Sequence, residues 1–415
     1  MSSMSEEINQ ASRRLFMGAA LGTAASYSRI KGANDRIRLG AIGTGGRCQY
    51  LLGLLQNLPG NQLVAICDIY ETRRIQARLK FASYANEYAD YRKLLDDKEV
   101  DAVVIGTPDH WHTPIAIDAL AANKDIYVEK PVTHKLEEGE QLGRAVAASK
   151  QVLQVGMQQR SWPHIAEAKA LFLDTGALGQ ITFVETHWYQ NHSRRRMNYP
   201  DLDASKLNWK AFLGSAPDQP INPARYFDWR NYWDFGGGSL TDLFTHWIDV
   251  VHWFMESTLP TSAFTMGARY RFPERDCPDT LSATFLYPGN FQVIFHSSLV
   301  SILAGGGITL RGTEGTLRVE RDGYAFYAEP DAYSETLELP LPTREVRMAR
   351  NDGTKDHLQN FLNCVRSRNA PNAPAATGIN AARPGQMGNL SFRENRVVLS
   401  SSLNLRNDAE RGVCA

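Results

Sequence analysis

The chain has 415 residues, with 45 lysines plus arginines against 45 aspartates plus glutamates. That length exceeds the usual single domain and is enough to bury two sizeable cores. The zero net charge gives no electrostatic footprint for nucleic acid or an anionic membrane surface, so a small molecule is the expected partner.

The first 33 residues stand apart. Ser12-Arg13-Arg14-Leu15-Phe16-Met17 leads into the small and apolar run Gly18 to Ala25, the pattern of a twin-arginine export signal, with a disordered basic terminus as the alternative. The run is too short for a permanent membrane anchor. The expected location is therefore the periplasm or the exterior, reached by a route that carries folded proteins and suits one loaded with a cytoplasmic cofactor.

From Ile37 to Ile42 the chain reads as a short buried strand closed by glycines. Tyr50 to Leu58 is a helical stripe, Leu63 to Asp68 a strand, Val100 to Ile105 a strand and Pro114 to Ala122 a helix; Asp125 to Val128 and Gln151 to Val155 are further strands. Strand and helix alternate, which predicts a doubly wound parallel sheet over residues 34–157. Residues 158–415 change character. After a helix from His164 to Thr175, single-sided alternation begins at Ile181 and continues in the segments 262–272, 280–287, 291–298, 307–311 and 315–320. These predict a large, mostly antiparallel sheet. His357 to Ser367 is a late amphipathic helix returning to the cleft, followed by a Pro/Ala-rich connector from Asn369 to Thr377. The five cysteines, Cys48, Cys67, Cys277, Cys364 and Cys414, show neither CxxC spacing nor an even count, which supports neither a zinc site nor a disulfide framework.

Three strand ends carry chemistry-bearing residues, and open α/β sheets place ligands at the carboxyl ends of their strands. Gly43-Thr44-Gly45-Gly46-Arg47-Cys48 follows the first strand and opens a helix. Gly43 permits the turn, Gly45 lets the backbone approach a pyrophosphate, and the helix amino terminus favours its charge. Cys48 departs from the third glycine. Asp68, at the end of the second strand, is placed to bind the ribose hydroxyls; this favours NAD, while Arg73 and Arg74 keep NADP possible. Thr107-Pro108-Asp109-His110-Trp111-His112 follows another strand, and its Thr107, Pro108 and His112 are expected to line the nicotinamide side of the cleft rather than hold a metal. Glu129-Lys130-Pro131 ends the strand from Asp125. Lys130 is a candidate for chemistry, and Glu129 is open to a cofactor contact or a salt bridge.

In the second domain, Gly236-Gly237-Gly238 precedes Asp242 and His246, four residues apart, with Asp249 beyond. On one helix these project from one face, a carboxylate beside an imidazole that suits acid/base work. Arg160, Trp162, His187, Trp209, Arg230 and Trp233 are further candidates for hydroxyl-rich ligands, since guanidinium forks and indole faces suit them, with a structural role the alternative for each. The run Arg194-Arg195-Arg196 reads as a solvated loop or an anion contact.

Taken in order, the glycine fingerprint, the acid after the second strand, the Thr-Pro loop, Glu-Lys-Pro and the segment GGG-x-L-x-D-x-x-x-H-x-x-D resemble the Gfo/Idh/MocA oxidoreductases over most of residues 36–405. The resemblance implies a Rossmann domain joined to an α/β domain with a large, open, mostly antiparallel sheet that often serves oligomerisation, so a homo-oligomer, dimer or tetramer, is expected. It further implies that Lys130, Asp242 and His246 are catalytic, and that the glycine loop and Asp68 hold NAD or NADP. The expected reaction is hydride transfer from a hydroxyl of a sugar, glycoside or polyol, with a tightly bound, recycled cofactor. In that scheme Asp242 orients His246. Redox-assisted glycoside hydrolysis through a transient 3-keto sugar is the alternative.

Overall fold

A computed structural model describes residues 36–192, 199, 201–330, 341–349, 353–403 and 405. The export-signal segment, the Arg194–Arg196 run and Cys414 lie outside the described residues.

The first sheet is parallel and six-stranded, in the order β3-β2-β1-β4-β5-β6. Its strands are β1 (Ile37–Ile42), β2 (Asn61–Cys67), β3 (Asn86–Tyr88), β4 (Ala102–Ile105), β5 (Asp125–Val128) and β6 (Leu153–Val155). β4 and β5 are buried at every position, as expected for strands covered by helices on both faces. The strand order reverses between β1 and β4, and this doubly wound arrangement opens a crevice there at the carboxyl ends of the strands.

The second sheet has nine strands in the order β14-β13-β12-β11-β7-β10-β9-β8-β15. It contains β7 (Ile181–Tyr189), β8 (Ser262–Ala268), β9 (Thr280–Tyr287), β10 (Phe291–Ser298), β11 (Gly306–Gly312), β12 (Gly315–Glu320), β13 (Gly323–Ala328), β14 (Arg344–Arg347) and β15 (Val398–Leu399). Every pairing is antiparallel except β10 with β7. β9 and β10 alternate buried residues with half-buried or exposed ones along their length, so the sheet packs one face on the domain's helices and leaves the other less covered. Phe244 on the covering helix Phe244–Met255 stacks on Phe285 and Phe295 of that buried face, at 5.0 and 4.7 Å.

Some boundaries differ from the sequence reading. β8 stops at Ala268, because the backbone N–H groups of Arg271 and Phe272 turn to the Asp279 carboxylate instead of continuing the ladder. The expected connector ends at Pro374, where a helix runs from Ala375 to Glu394 with Pro384 inside it. Pro384, Gly378, Gly385 and Gly388 disguise that helix, since proline and glycine weigh against helix interiors. The helix Thr354–Ser367 returns to the first domain: its Leu358, Phe361 and Leu362 share a core with Leu51, Leu52 and Leu55 of the helix Gly46–Leu55.

Candidate active site

The glycine loop leaves β1 and enters the helix Gly46–Leu55 at Gly45. Gly43 adopts φ +78°, and a Cβ there would lie 2.8 Å from the Thr107 backbone, so only glycine fits. Cys48 at the third fingerprint position packs fully buried against Gly106, where a Cβ would approach the Cys48 Cβ to 2.8 Å. The missing glycine has in effect moved across to β4. The helix start carries no side-chain cap and no acid in its first turn, and a Cβ on Gly46 would meet nothing within 4 Å. Its amides are thus available to an anion.

A cavity of about 640 Å³ opens from this loop, lined by Gly45, Asp68, Thr107, Pro108 and Arg73 among others. These features fit the pyrophosphate and ribose of a dinucleotide. Asp68 is 5% exposed and partly engaged by the protein itself. One carboxylate oxygen accepts from the Thr44 amide (2.7 Å) and hydroxyl (3.0 Å), and the other from the Tyr70 amide (2.9 Å). Three of its four lone-pair sites are used, so it braces the loop and keeps one site for a ribose hydroxyl. His112 does not line the cavity. Its ring lies between the carbonyls of Pro131 (2.7 Å) and Thr107 (2.9 Å), joining the cofactor loop to the turn after Lys130, and burial pushes its pKa down to about 4.

A second cavity of about 340 Å³ adjoins, and Arg47 and Arg230 line both. Arg47 is paired with buried Glu129 at 2.8 Å, and Gln158 donates weakly to the same oxygen at 3.4 Å. Glu129 is thus a salt-bridge partner of Arg47 in the wall of the smaller cavity. The Lys130 ammonium donates to the Asp242 carboxylate (2.5 Å) and to its backbone carbonyl (2.6 Å). A lysine has three N–H donors, so one remains for a ligand. Burial pushes the Asp242 carboxyl up, but Lys130 and Arg230 outweigh it and hold the group well below the usual carboxylate range.

Asp242 and His246 do not share one regular helix: the first ends the short helix Gly238–Asp242 and the second lies in Phe244–Met255, with Leu243 between. Among the described residues no hydrogen bond joins them. The orienting role expected of Asp242 toward His246 is not what the geometry shows; the carboxylate is committed to Lys130 and Arg230. The His246 ring is instead positioned by Trp188, stacked at 5.4 Å. Burial, reinforced by the charges of Lys130 and Arg321, pushes its pKa well below the ordinary value. It is a neutral imidazole facing the cavity, able to accept a proton.

Of the six further candidates, Trp162 and Arg230 line the smaller cavity. Arg160 does not, because its guanidinium grips buried Asp249 at 2.9 and 3.0 Å. His187 faces away on β7, stacked on Tyr189 and 3.3 Å from the Ala304 carbonyl. Trp209 stacks on Phe212, and Trp233 lies against Phe392. Sequence reasoning missed Arg321, whose guanidinium lies 4.4 Å from the Trp188 ring behind His246. It sits in the turn between β12 and β13, and no motif marks it.

Two family models match the chain: the oxidoreductase family's NAD-binding Rossmann fold over residues 37–157, and its C-terminal α/β domain over 172–399. The chain belongs to the Gfo/Idh/MocA oxidoreductase family. It is 30% identical over 154 residues to the inositol 2-dehydrogenase of Salmonella typhimurium, which takes in 37% of this chain and 44% of that protein; the match thus spans under half the length of that relative. Inositol 2-dehydrogenase/D-chiro-inositol 3-dehydrogenase of Lacticaseibacillus casei is 25% identical over 372 residues, 88% of this chain and 94% of that one. Glycosyl hydrolase family 109 protein 1 of Shewanella sp. is 37% identical over 116 residues, 26% of this chain and 25% of that protein. Among solved structures, the WlbA dehydrogenase from Bordetella pertussis in complex with NADH and UDP-GlcNAcA superposes with a TM-score of 0.67 at 19% identity, covering 90% of this chain and 100% of that one. That likeness shows a shared fold.

Proposed function

We propose that the protein is an NAD(P)-dependent oxidoreductase that oxidises a CH–OH group of a sugar, glycoside or polyol and keeps its cofactor between turnovers. The observation that carries this is the pairing, in a cavity beside the dinucleotide site, of a neutral His246 with a Lys130 ammonium that has one donor to spare. The bound nicotinamide supplies a hydride acceptor. His246 takes the hydroxyl proton, and Lys130 stabilises the alkoxide charge on that oxygen, which becomes the carbonyl oxygen when the carbon gives up its hydride. Asp242 fixes the ammonium and balances its charge. Expected ligands are small carbohydrates, with NAD the favoured cofactor and NADP possible.

Purified protein is mixed with inositols, free sugars and aryl glycosides while reduced-nicotinamide absorbance is followed. A stoichiometric rise that stalls until a second carbonyl substrate is added supports the reading; no signal across the panel refutes it. The hydrolase match favours a second reading, in which a 3-keto sugar forms, the aglycone is eliminated, water adds and the ketone is reduced again. Aryl-group release without accumulated reduced cofactor is its signature.

The Arg13-Arg14 signal supports export of the folded, cofactor-loaded protein to the periplasm, and cell fractionation of an Arg13→Lys, Arg14→Lys variant tests this by its retention in the cytoplasm. The open sheet face, with Met266 and Leu286 exposed, supports a homo-oligomer, dimer or tetramer, measured by light scattering.

A further inference from the structure

Between Asp203 and Phe235 the second domain sends a strap back over the first, stitched down on both sides of the larger cavity. On one side the Asn208 amide donates to the Ile69 carbonyl (3.1 Å) and the Asp203 amide to the Tyr70 hydroxyl (3.2 Å). On the other, the Phe212 carbonyl faces His110 Nε2 at 2.8 Å and accepts from Trp111 Nε1 at 3.1 Å. Burial pushes the His110 pKa down to about 3, so this ring is neutral and donates from Nε2. The strap's Phe212, Tyr226 and Phe235 form a small core with Tyr70 of the first domain, and Phe212, Tyr226 and Phe227 line the cavity beneath.

Arg73, on the first domain's helix Glu71–Phe81, reaches across the cavity to this roof. Its guanidinium lies 4.7 Å from the Tyr226 ring and 5.7 Å from the Phe227 ring. Its Nη1 is 3.5 Å from where a Cβ on Gly45 would stand. Neighbouring Arg74 is engaged by Glu87 and by the Asp68 carbonyl; Arg73 pairs with no carboxylate among the described residues. A guanidinium laid on an aromatic face keeps its N–H edge for a planar or phosphate acceptor. That edge stands beside the glycine at which the backbone approaches a pyrophosphate, next to the uncapped helix start.

We propose that Arg73 is a pyrophosphate clamp: held on Tyr226 and Phe227, it donates to the dinucleotide phosphates from the strap side, while the glycine-loop amides donate from the other. This rests on the reading that the larger cavity holds a nicotinamide dinucleotide, and it locates in one side chain the cofactor retention proposed above.

The test uses full-length protein stripped of cofactor, with NAD and NADP titrated calorimetrically into wild type, Arg73→Gln and Arg73→Lys. Retention of NAD through gel filtration is measured in parallel. A charge-assisted phosphate contact predicts that Arg73→Gln weakens NAD and NADP alike by about 10- to 100-fold, with faster release. Arg73→Lys, which restores a point charge without the fork, recovers part of the loss. Loss confined to NADP would assign Arg73 to a 2′-phosphate and overturn the clamp. Unchanged affinity for both would also overturn it, as would a lower melting temperature of the apo-variant with dinucleotide affinity intact, which marks a purely structural residue. Wild type that binds neither dinucleotide sinks the functional reading itself; wild type that binds while Arg73→Gln matches it sinks only the clamp.

Discussion

Replacing Lys130 by methionine keeps the unbranched stem but for the terminal atom and removes the charge, with two separable consequences. The first is on rate. The ammonium is fixed by two hydrogen bonds, of 2.5 and 2.6 Å, to Asp242, so it is preorganised to meet an alkoxide, and removing one such donor costs about 10²- to 10³-fold in kcat. The second is on the pH profile. Lys130 is, after burial, the largest influence holding the His246 pKa down; without it that pKa rises. Because the neutral imidazole is the proton acceptor, the acid limb of kcat against pH moves to higher pH in Lys130→Met. Stability falls by about 2 kcal/mol, below the ~3–5 kcal/mol of a fully buried pair that loses a partner, because Asp242 retains Arg230 at 3.3 Å. A margin of about 5–15 kcal/mol leaves the variant folded, so steady-state rates across pH, with urea unfolding as control, resolve both effects. A folded Lys130→Met protein with near-normal kcat and an unmoved acid limb would refute the assignment of Lys130 and its influence on His246 together.

Gly106→Ala should lower stability by about 1–3 kcal/mol through its clash with the Cys48 Cβ, read in urea, and should weaken NAD binding because the glycine loop is displaced; Cys48→Gly in the same chain should restore much of both. Arg160→Ala strands the Asp249 carboxylate and should cost about 3–5 kcal/mol of stability, while KM in the surviving folded fraction stays near wild type; a raised KM with unchanged stability would return Arg160 to the substrate cleft. Buried His110 and His252 are pushed down to about pKa 3, and His112 and His357 to about 4. Their unfolded pKa is near 6.5, so below that value the unfolded chain binds more protons than the folded one. Their contribution is therefore intact above about pH 6.5 and lost as pH falls toward 4, by up to about 1.4 kcal/mol per histidine per pH unit. Urea midpoints at pH 7.5, 6 and 5 should fall in that order, and flat midpoints would contradict the burial of these rings.

The fold was legible because its signals are local. Apolar runs such as Val103-Val104-Ile105 can be read directly, and β9 and β10 alternate with the period of a half-covered sheet. The cofactor loop was legible for the same reason, since Gly43 and Gly45 are constrained by the turn they make. Partner choice was not. Asp242 and His246 are four apart, yet the regular helix is interrupted at Leu243, and Lys130, just beyond β5, holds the carboxylate instead. The Cys48–Gly106 exchange, the Arg160–Asp249 pair and the Trp188–Arg321 stack behind His246 each join positions far apart in sequence; only packing reveals them. The Pro384 helix shows the converse, local propensity overridden by burial.

The helix Thr354–Ser367 bears on how this molecule comes into being. A ribosome that has released the whole nucleotide-binding half has not yet made Leu358, Phe361 and Leu362, which close the core over Leu51 and Leu55. The glycine loop begins the very helix they cover, and the Thr354 hydroxyl accepts from Arg47 at 3.4 Å. The core beneath the cofactor loop is therefore completed by a segment synthesised only after the nine-stranded sheet's main strands.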